Sequence, residues 1–412
     1  MESNTAPAEI VLQRATPFRP LGAHARRAPP LRIAFVIDVF DMGGMERCIA
    51  HLVNQLDPAR FTPLIICLTK NGDAGRWLQR PQVPVIELYK PPGNDLRTMR
   101  GLGQVLCDRS VDLIHSHNWG TLLETVVARR WCPRVRHVHA VHGQELDPFR
   151  VTGWKRHVRR LLMRWGMRQT HAVVAIANSV QEWLARDCRL RPPQLRYIPN
   201  GVADPQTRSP AASAAEMRRS LGIGRDAVVI GSVSRLIPLK DFASAIEAVR
   251  EIVRGGRDAH LVLVGEGPER SSLESKAVAR GLHDRVHFVG RQANVGDWLS
   301  CFDVYINSSR TEAMSMALLE AMAARLPIVA TEVGDAAALV GGPDPAGLLV
   351  PPANSAALAA AIERLIRDGA ERRALAGAGR KRYEAHYAIG RMVDRYAELY
   401  TDLMPAPVCA AV

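Results

Sequence analysis

The feature that most constrains the fold is an alternation of short apolar runs with amphipathic segments. The apolar runs are rich in Val, Ile and Leu, which predicts buried strands, and the segments between them have the 3.6-residue period of helices. Strands that alternate with helices are typical of βαβ units and a parallel sheet. Because the alternation occurs as two series, we expect an α/β protein with two Rossmann-like, doubly wound parallel-sheet domains.

The two series set the expected domain boundaries. In the first, the predicted strands are 31–37, 63–68, 83–88, 113–115, 135–139 and 172–176. In the second, they are 228–230, 260–264, 286–289, 304–307 and 327–330. A linker from Asp204 to about Ala215, with Pro205 and Pro210, separates the series. The expected organisation is a disordered tail over 1–29, domains over 30–203 and 204–385, and a tail over 405–412.

Composition excludes several classes of protein. The chain has 412 residues and 47% hydrophobic content, enough for two cores. No run of about 18 apolar residues is present, so we expect no membrane span. The first thirty residues lack an apolar signal-peptide segment, and the seven scattered cysteines form no C-x-x-C pair. We therefore expect a cytoplasmic protein with reduced, buried thiols rather than disulfides or a zinc site.

Two carboxylates stand where a predicted strand turns into a helix. Glu312 follows the apolar run 303–307, and Glu320 lies eight residues later, two turns into the next helix. Both acids can then face the crevice at the carboxyl ends of parallel strands, where α/β sheets bind ligands. A carboxylate can accept from vicinal hydroxyls, so the pair suits a nucleotide sugar. Taken alone, the two would more often be a helix N-terminal acid and a solvated helical Glu.

Upstream cations favour the ligand interpretation. Arg235 and Lys240 lie in a turn between a β-branched strand and an amphipathic helix. Two cations at such a turn could clamp a diphosphate and stabilise the charge on it as it departs. An isolated pair would more often be solvated surface charge. No Asp-X-Asp pair, a common metal ligand for this task, occurs in the chain. We therefore expect no metal and no other cofactor.

The order of the motifs resembles that of retaining glycosyltransferases of family 4, which have the GT-B fold, from about Arg32 to about Tyr400. The first half carries Asp41-Met42-Gly43-Gly44-Met45-Glu46-Arg47, Val111 to His117, His139 to Gly143 and Ile198-Pro199-Asn200-Gly201-Val202. The second half carries the Arg235/Lys240 turn, Leu261 to Pro268, the Glu312 to Glu320 element and Gly347 to Pro352. Within the family, Lys90 to Asp95 is similar to bacterial transferases of exopolysaccharide gene clusters.

The resemblance implies a role for each matching residue. The two sheet domains would face a central cleft, and a last helix, within about 375–404, would cross back so that 386–404 complete the acceptor-side first domain. The catalytic residues would be Glu312, His142, Arg235 and Lys240. The nucleotide-sugar donor would contact Gly43, Gly44, Arg235, Lys240, Gln292, Glu312, Ser315 and Glu320, with Glu312 on the sugar and Glu320 on the ribose. His117 would line the acceptor side.

The implied activity is sugar transfer, with retention, from a UDP- or GDP-linked sugar to a glycan or polyprenyl-linked acceptor. Three positions depart from the family pattern: Ala313, Arg325 and Asp335 stand where the family often has Gly. Ala313 adds a methyl where backbone approaches phosphate, and Asp335 would place a negative charge near the donor. These departures leave two alternatives: a degenerate, non-catalytic nucleotide-sugar-binding partner, or a nucleotide-sugar epimerase.

The net charge of +13 calls for an anionic partner. Residues 150–168 hold Lys and Arg side chains and no acid, and Trp154, Val158, Leu161, Leu162 and Trp165 fall on one helical stripe. A basic amphipathic helix with Trp on its apolar edge is typical of binding to an anionic membrane surface, which would make the protein peripheral on the inner face of the cytoplasmic membrane. The stripe could equally pack on its own domain. No nucleic-acid-binding motif is present, so we expect no nucleic-acid partner.

Overall fold

A computed structural model describes residues 29–143, 153–205 and 212–405. Of the tails expected over 1–29 and 405–412, residues 1–28 and 406–412 lie outside the described residues. Residues 206–211 of the expected linker and 144–152, which include the start of the basic stretch, also lie outside them.

The strands form two separate sheets in which every pair of neighbours is parallel. The first sheet contains β1 (Leu31–Phe40), β2 (Phe61–Asn71), β3 (Val85–Glu87), β4 (Leu113–His117), β5 (Arg136–Val141), β6 (Ala172–Ala175) and β7 (Leu195–Tyr197). The second contains β8 (Val228–Val233), β9 (Ala259–Val264), β10 (Val286–Gly290), β11 (Val304–Asn307), β12 (Ile328–Thr331) and β13 (Leu348–Val350). This arrangement confirms the expected fold class; β7 and β13, three residues each, were missing from the predicted strands.

Helices connect the strands, and their bounds are as follows. In the first half they are α1 (Gly44–Gln55), α2 (Leu96–Asp108), α3 (Trp119–Ala128), α4 (Gly153–Arg168) and α5 (Asn178–Asp187). In the second half they are α6 (Ala212–Ser220), α7 (Phe242–Arg254), α8 (Arg270–Ala279), α9 (Val295–Ser300), α10 (Met316–Ala323), α11 (Ala336–Val340), α12 (Ser355–Arg367), α13 (Gly369–Arg382) and α14 (Ile389–Asp402). Because α10 begins at Met316, Glu320 lies about one turn into it rather than two.

Each sheet reverses its strand order once. The first runs β3-β2-β1-β4-β5-β6-β7 and the second β10-β9-β8-β11-β12-β13. The reversals fall between β1 and β4 and between β8 and β11, where Ile33 aligns with Leu113 and Ile230 with Val304. Ligands of open α/β sheets bind outside the carboxyl ends of strands at such switch points. The fold therefore indicates where the site of each domain lies.

The last helical segment returns to the first sheet. The single predicted helix over about 375–404 is interrupted after α13 by a wide turn at Tyr383–Tyr387, and α14 begins beyond it. Met392, Tyr396 and Tyr400 of α14 are buried in the same apolar cluster as residues of β1 and β2. Burying these side chains ties the end of the chain to the first domain.

The cysteines differ from expectation in one place. Cys107, at the end of α2, and Cys132 form a disulfide, with Cα atoms 6.2 Å apart. The expectation of reduced thiols was therefore wrong for this pair, since residues 25 positions apart gave no local signal in the sequence. Cys48, Cys67 and Cys301 are buried thiols, as expected, and Cys409 lies outside the described residues.

The sequence predicted no membrane-spanning segment. Within residues 29–143, 153–205 and 212–405, none of the helices has both the length and the apolar composition that crossing a bilayer requires.

Candidate active site

A cleft of about 540 Å³ lies where the two switch points face each other. From the first domain, the loop after β1, the start of α1 and the loop after β5 contribute Asp41, Gly43, Gly44, Glu46 and His142. From the second domain, the loops after β8 and β11 contribute Arg235, Glu312 and Met314. The cleft thus brings together, from opposite domains, five of the residues that the sequence predicted as catalytic or donor-binding: Gly43, Gly44, His142, Arg235 and Glu312.

Lys240 and Glu312 form an ion pair between the loops that follow β8 and β11. Glu312 Oε1 also accepts a hydrogen bond from Ser309 Oγ at 3.0 Å. Both side chains are mostly buried. Because burial removes competing water, the pair fixes the position of each charge at the edge of the cleft.

Glycines allow the two charged loops to approach their neighbours. Gly265 has φ +142°, and a Cβ there would collide with the carbonyl oxygen of Ser234, beside Arg235. Gly334 has φ +54°, and a Cβ there would collide with the carbonyl oxygen of Glu312. Both positions need a residue without a side chain. Arg325, where the family often has Gly, also has a positive φ of 57°.

Glu320 is buried and contacts the first domain. Its Oε1 lies 2.8 Å from Arg47 Nη1, so the ion pair bridges α1 and α10. Burial raises the pKa of Glu320, and the charge of Arg47 opposes that rise. The second predicted acid is therefore present at the domain interface with a cation facing it.

His142 lines the cleft, and its imidazole ring is held in the neutral form. Burial lowers its pKa to about 4. Its backbone N–H donates to Asn118 Oδ1 at 3.0 Å, and Asn118 has a positive φ of 60°. Such a strained residue persists only where its surroundings hold it, as at ligand sites. His142 is therefore a neutral ring held in place by the loop after β4.

His117 does not occupy its expected position on the acceptor side. It is 3% exposed and lies behind His142, with Nδ1 3.0 Å from His142 Nε2. Its other face packs on His115, with ring centroids 4.2 Å apart, and His115 Nδ1 is 2.7 Å from the hydroxyl of Tyr400. The correction follows from the period of the strand, since His117 is the last residue of β4 and points into the core. His117 is therefore buried behind His142 and is not among the residues that line the cleft.

Of the remaining predicted donor residues, Gly43 and Gly44 line the cleft, whereas Ser315 and Gln292 are not among its lining residues. Gly43 precedes α1, and Glu46 folds back so closely that a Cβ on Gly43 would meet its carboxylate. Gly44 faces the side chain of Met316. Ser315 caps α10 by accepting from Leu318 N–H at 3.4 Å. Gln292, after β10, donates to the carbonyl of Val289 at 2.6 Å.

The sequence analysis did not assign a role to four polar residues that line the cleft, namely Asp41, Glu46, Asn118 and Asn200. Burial raises the pKa of Glu46, while Arg235 across the cleft opposes the rise. Glu46 and Asn200 both fall inside motifs that the sequence analysis identified. Their position in those motifs was the evidence from which a role could have been predicted. Asn118 follows the last residue of β4, a position that could have been inferred from the switch point.

Asp335 is not placed as expected beside the donor. Its carboxylate accepts from the backbone N–H groups of Asn178 and Ser179 at 2.6 and 3.0 Å, at the start of α5 in the first domain. Its own N–H donates to the carbonyl of Ala313 at 2.9 Å. The carboxylate accepts from two N–H groups of the first turn of α5, which have no partner within the helix. Asp335 thus links the Glu312 loop to the opposite domain.

Metal ligation has no candidate in the described parts of the chain. No group of three or more His, Cys, Asp or Glu side chains there could hold a metal ion.

Two family models match the chain in agreement with this geometry. The model described as "Glycosyltransferase Family 4" matches residues 42–204, and the one described as "Glycosyl transferases group 1" matches residues 227–368. The fold and the cleft define a GT-B glycosyltransferase. Since the two matches together span both domains, the chain belongs to the family 4, group 1 glycosyltransferases.

Curated relatives are similar over part of their length. The alpha-D-kanosaminyltransferase of Streptomyces kanamyceticus is 29% identical over 248 residues, 58% of this chain and 62% of that protein. The 2-deoxystreptamine glucosyltransferase of the same organism is 27% identical over 300 residues, 69% of this chain and 77% of that protein. The UDP-Gal:alpha-D-GlcNAc-diphosphoundecaprenol alpha-1,3-galactosyltransferase of Escherichia coli is 26% identical over 247 residues, 58% of this chain and 62% of that protein.

Solved structures share the fold over nearly the whole chain. HepE of Anabaena in complex with UDP and glucose has a TM-score of 0.79 at 22% identity, over 90% of this chain and 100% of that chain. A glycosyltransferase from Rickettsia africae has a TM-score of 0.78 at 19% identity, over 91% of this chain and 99% of that chain.

Proposed function

We propose that the protein is a retaining, metal-independent glycosyltransferase that moves a sugar from a nucleotide-diphosphate sugar to a lipid-linked glycan acceptor in cell-surface glycan synthesis. One observation carries the proposal: residues of both domains lie at one cleft. The second domain contributes Arg235 and the Lys240–Glu312 pair, and the first contributes Gly43, Gly44 and His142. Each group has a chemical task in transfer from a nucleotide sugar.

The two cations would stabilise the departing diphosphate. Arg235 lines the cleft, and Lys240 stands beside Glu312 at its edge. Fixed positive charge in a site from which water is excluded is most effective where negative charge develops in the transition state. This arrangement supports leaving-group stabilisation by side chains.

Glu312 would hold hydroxyls of the transferred sugar, and Glu320 those of the ribose. In retention, the acceptor hydroxyl attacks from the face that the diphosphate leaves, through an oxocarbenium-like state. His142 would face the sugar as a neutral ring, because its pKa is lowered to about 4 by burial. A neutral ring adds no positive charge beside a sugar that is becoming positive, so it can position the sugar without opposing the reaction.

A lipid-linked acceptor is supported by α4. Five large apolar side chains lie exposed on this helix, among them Trp154 at 71% and Leu161 at 62%, the others being Val158, Leu162 and Trp165. At about 100° per residue, the exposed Lys155 and Arg168 flank this stripe on either side. The stripe therefore does not pack on its own domain, and its basic edges suit an anionic bilayer surface.

The position of α4 relative to the cleft agrees with this acceptor. Arg159 of α4 lies over the ring of Trp119, with 5.2 Å from its guanidinium carbon to the ring centroid, and Trp119 begins α3 directly after Asn118. Arg160 of α4 pairs with Asp187 of α5, so this arginine is not free to contact an anionic bilayer. The name of the E. coli relative specifies a UDP-linked donor and a diphosphoundecaprenol-linked acceptor, which supports both halves of the proposal.

Nucleotide release against a panel of UDP- and GDP-sugars tests the proposal, with membrane extract as the acceptor source and Glu312→Ala in parallel. We expect release from one donor that depends on the extract and is lost in the variant. Release that instead requires a water-soluble aminocyclitol would move the acceptor toward the 2-deoxystreptamine that the name of one Streptomyces relative specifies. Donor binding without release on any acceptor would favour the non-catalytic alternative, and isomerised donor without acceptor would favour an epimerase.

A further inference from the structure

Arg47 and Glu320 connect the two domains through α1 and α10, the helices whose residues Gly44 and Met316 line the cleft. Arg47 belongs to α1 of the first domain, and its Nη1 is 2.8 Å from Glu320 Oε1 of α10 in the second. The adjacent Cys48 Sγ lies 3.6 Å from Met316 Sδ, so the same two helices also touch through their sulfur atoms. The ion pair is thus part of a packed contact and not an isolated surface pair.

Because Glu320 is buried, the positive charge of Arg47 helps to keep its carboxylate ionised. The Glu320 side chain is 11% exposed and that of Arg47 is 36% exposed. A buried carboxylate without a partner tends to take up a proton, and its raised pKa shows that tendency. A protonated carboxyl can donate one hydrogen bond but accepts less well from two hydroxyls than a carboxylate does. Arg47 engages Oε1, and a carboxylate retains further acceptor capacity for a vicinal diol.

We propose that Arg47 is a positioning residue of the donor site: from the opposite domain, it orients the Glu320 carboxylate so that both ribose hydroxyls of the nucleotide can donate to it. The proposal rests on the proposed function, in which Glu320 binds the ribose. It follows that the ribose subsite is complete only when α1 and α10 are in contact. Nucleotide affinity then depends on the relative position of the two domains.

The test is calorimetric binding of UDP and GDP, and of their 2′,3′-dideoxy forms, to the full chain and its variants. For whichever base binds, Arg47→Met should weaken binding of the ribose form by about tenfold or more, roughly the loss of one charge-assisted hydrogen bond. It should leave binding of the dideoxy form unchanged, because that form has no hydroxyls for Glu320. Arg47→Lys should restore part of the affinity.

The variant Glu320→Gln distinguishes the claim that Glu320 binds the ribose from the claim that Arg47 positions Glu320. It should reproduce the loss for the ribose form, and the double variant with Arg47→Met should bind no worse than Glu320→Gln alone, since both act through one carboxylate. If Glu320→Gln binds the ribose and dideoxy forms as the wild type does, the ribose assignment within the proposed function is wrong. If Glu320→Gln loses affinity but Arg47→Met does not, only the role of Arg47 is wrong.

A pH series provides a readout that a purely structural role would not change. Binding by Arg47→Met should improve as pH rises from 5 to 8, because more Glu320 becomes ionised, while wild type should change less. Cys48 on α1 and Tyr305 on β11 also face Glu320, and burial raises the pKa of each, to about 12 for Cys48, so neither titrates in this range.

Arg76→Met is the matched control for the binding measurements, because Arg76 is an exposed arginine of the same domain that pairs with Asp73. Equal losses for ribose and dideoxy forms would overturn the proposal.

Discussion

The ammonium of Lys240 and the carboxylate of Glu312 form an ion pair that joins the loop after β8 to the loop after β11. These are the two strands at the switch point of the second sheet. In the proposed function, this pair supplies a positive charge for the diphosphate and a negative charge for the sugar hydroxyls of the donor.

Removing either charge should reduce turnover more than it reduces stability. Glu312→Ala and Lys240→Ala should each lower kcat by at least about a hundredfold, because each removes a fixed charge from the reacting centre. Steady-state nucleotide release measures the effect. Lys276→Ala is a suitable control, since Lys276 pairs with Glu247 on the surface of the same domain, 3.0 Å away. Near-normal turnover in either cleft variant would contradict the assignment.

Asp335 should contribute to stability across the domain interface. It is 3% exposed, and replacing it with Ala leaves the N–H groups of Asn178 and Ser179 without their acceptor. Asp335→Ala should therefore lower the free energy of unfolding by about 1–3 kcal/mol, and Asp335→Asn by less. Urea denaturation followed by circular dichroism provides the measurement. If Asp335→Ala unfolds at the wild-type urea concentration, the carboxylate does not hold α5.

Acidic pH should destabilise the first domain through its buried histidines. Burial lowers the pKa of His139 to about 3, and that of His115, His117 and His137 well below the ordinary value. The unfolded chain then binds more protons than the folded chain below about pH 6.5, so this stability is complete above that pH and is lost as pH falls toward 4. Each such histidine contributes a slope of about 1.4 kcal/mol per pH unit.

The variant His139→Asn isolates one of these contributions, since the Asn amide lies at the same distance along the side chain as His139 Nδ1, which is 2.8 Å from Ser116 Oγ. Urea denaturation of the wild type and the variant at pH 8, 6 and 5 is the measurement. The variant should lose less stability than the wild type between pH 6 and 5, whatever their difference at pH 8. Parallel pH profiles would show that His139 is not held neutral by the fold.

The exposed stripe of α4 should mediate binding to anionic vesicles. Leu161→Glu should weaken sedimentation with phosphatidylglycerol-containing vesicles about tenfold or more, because it removes apolar contact and adds repulsion. Val278→Glu is the matched control, since Val278 is 64% exposed on α8 of the other domain. Equal binding by the two variants would show that α4 is not the membrane contact.

Most of the fold was predictable because the strands of parallel sheets are buried on both faces and appear as continuous apolar runs. The strands β7 and β13 were missed because three residues are too few for a periodic signal. The residues of the cleft were predictable where they follow a strand, as Arg235 and Glu312 do. His117 and Asp335 were misplaced because their positions depend on side-chain direction and on a helix from the opposite domain, which spacing along the chain does not encode.

The central claim is retaining transfer at the cleft, and the anomeric configuration of the product tests it most directly. With the α-linked nucleotide sugar that supports nucleotide release, proton NMR of the product should show the small H1–H2 coupling of a newly formed α-linkage for a gluco-configured sugar. The signal should be absent with Glu312→Ala. A β-linked product would contradict retention, and an α-linked product formed equally well by Glu312→Ala would contradict the assignment of the cleft.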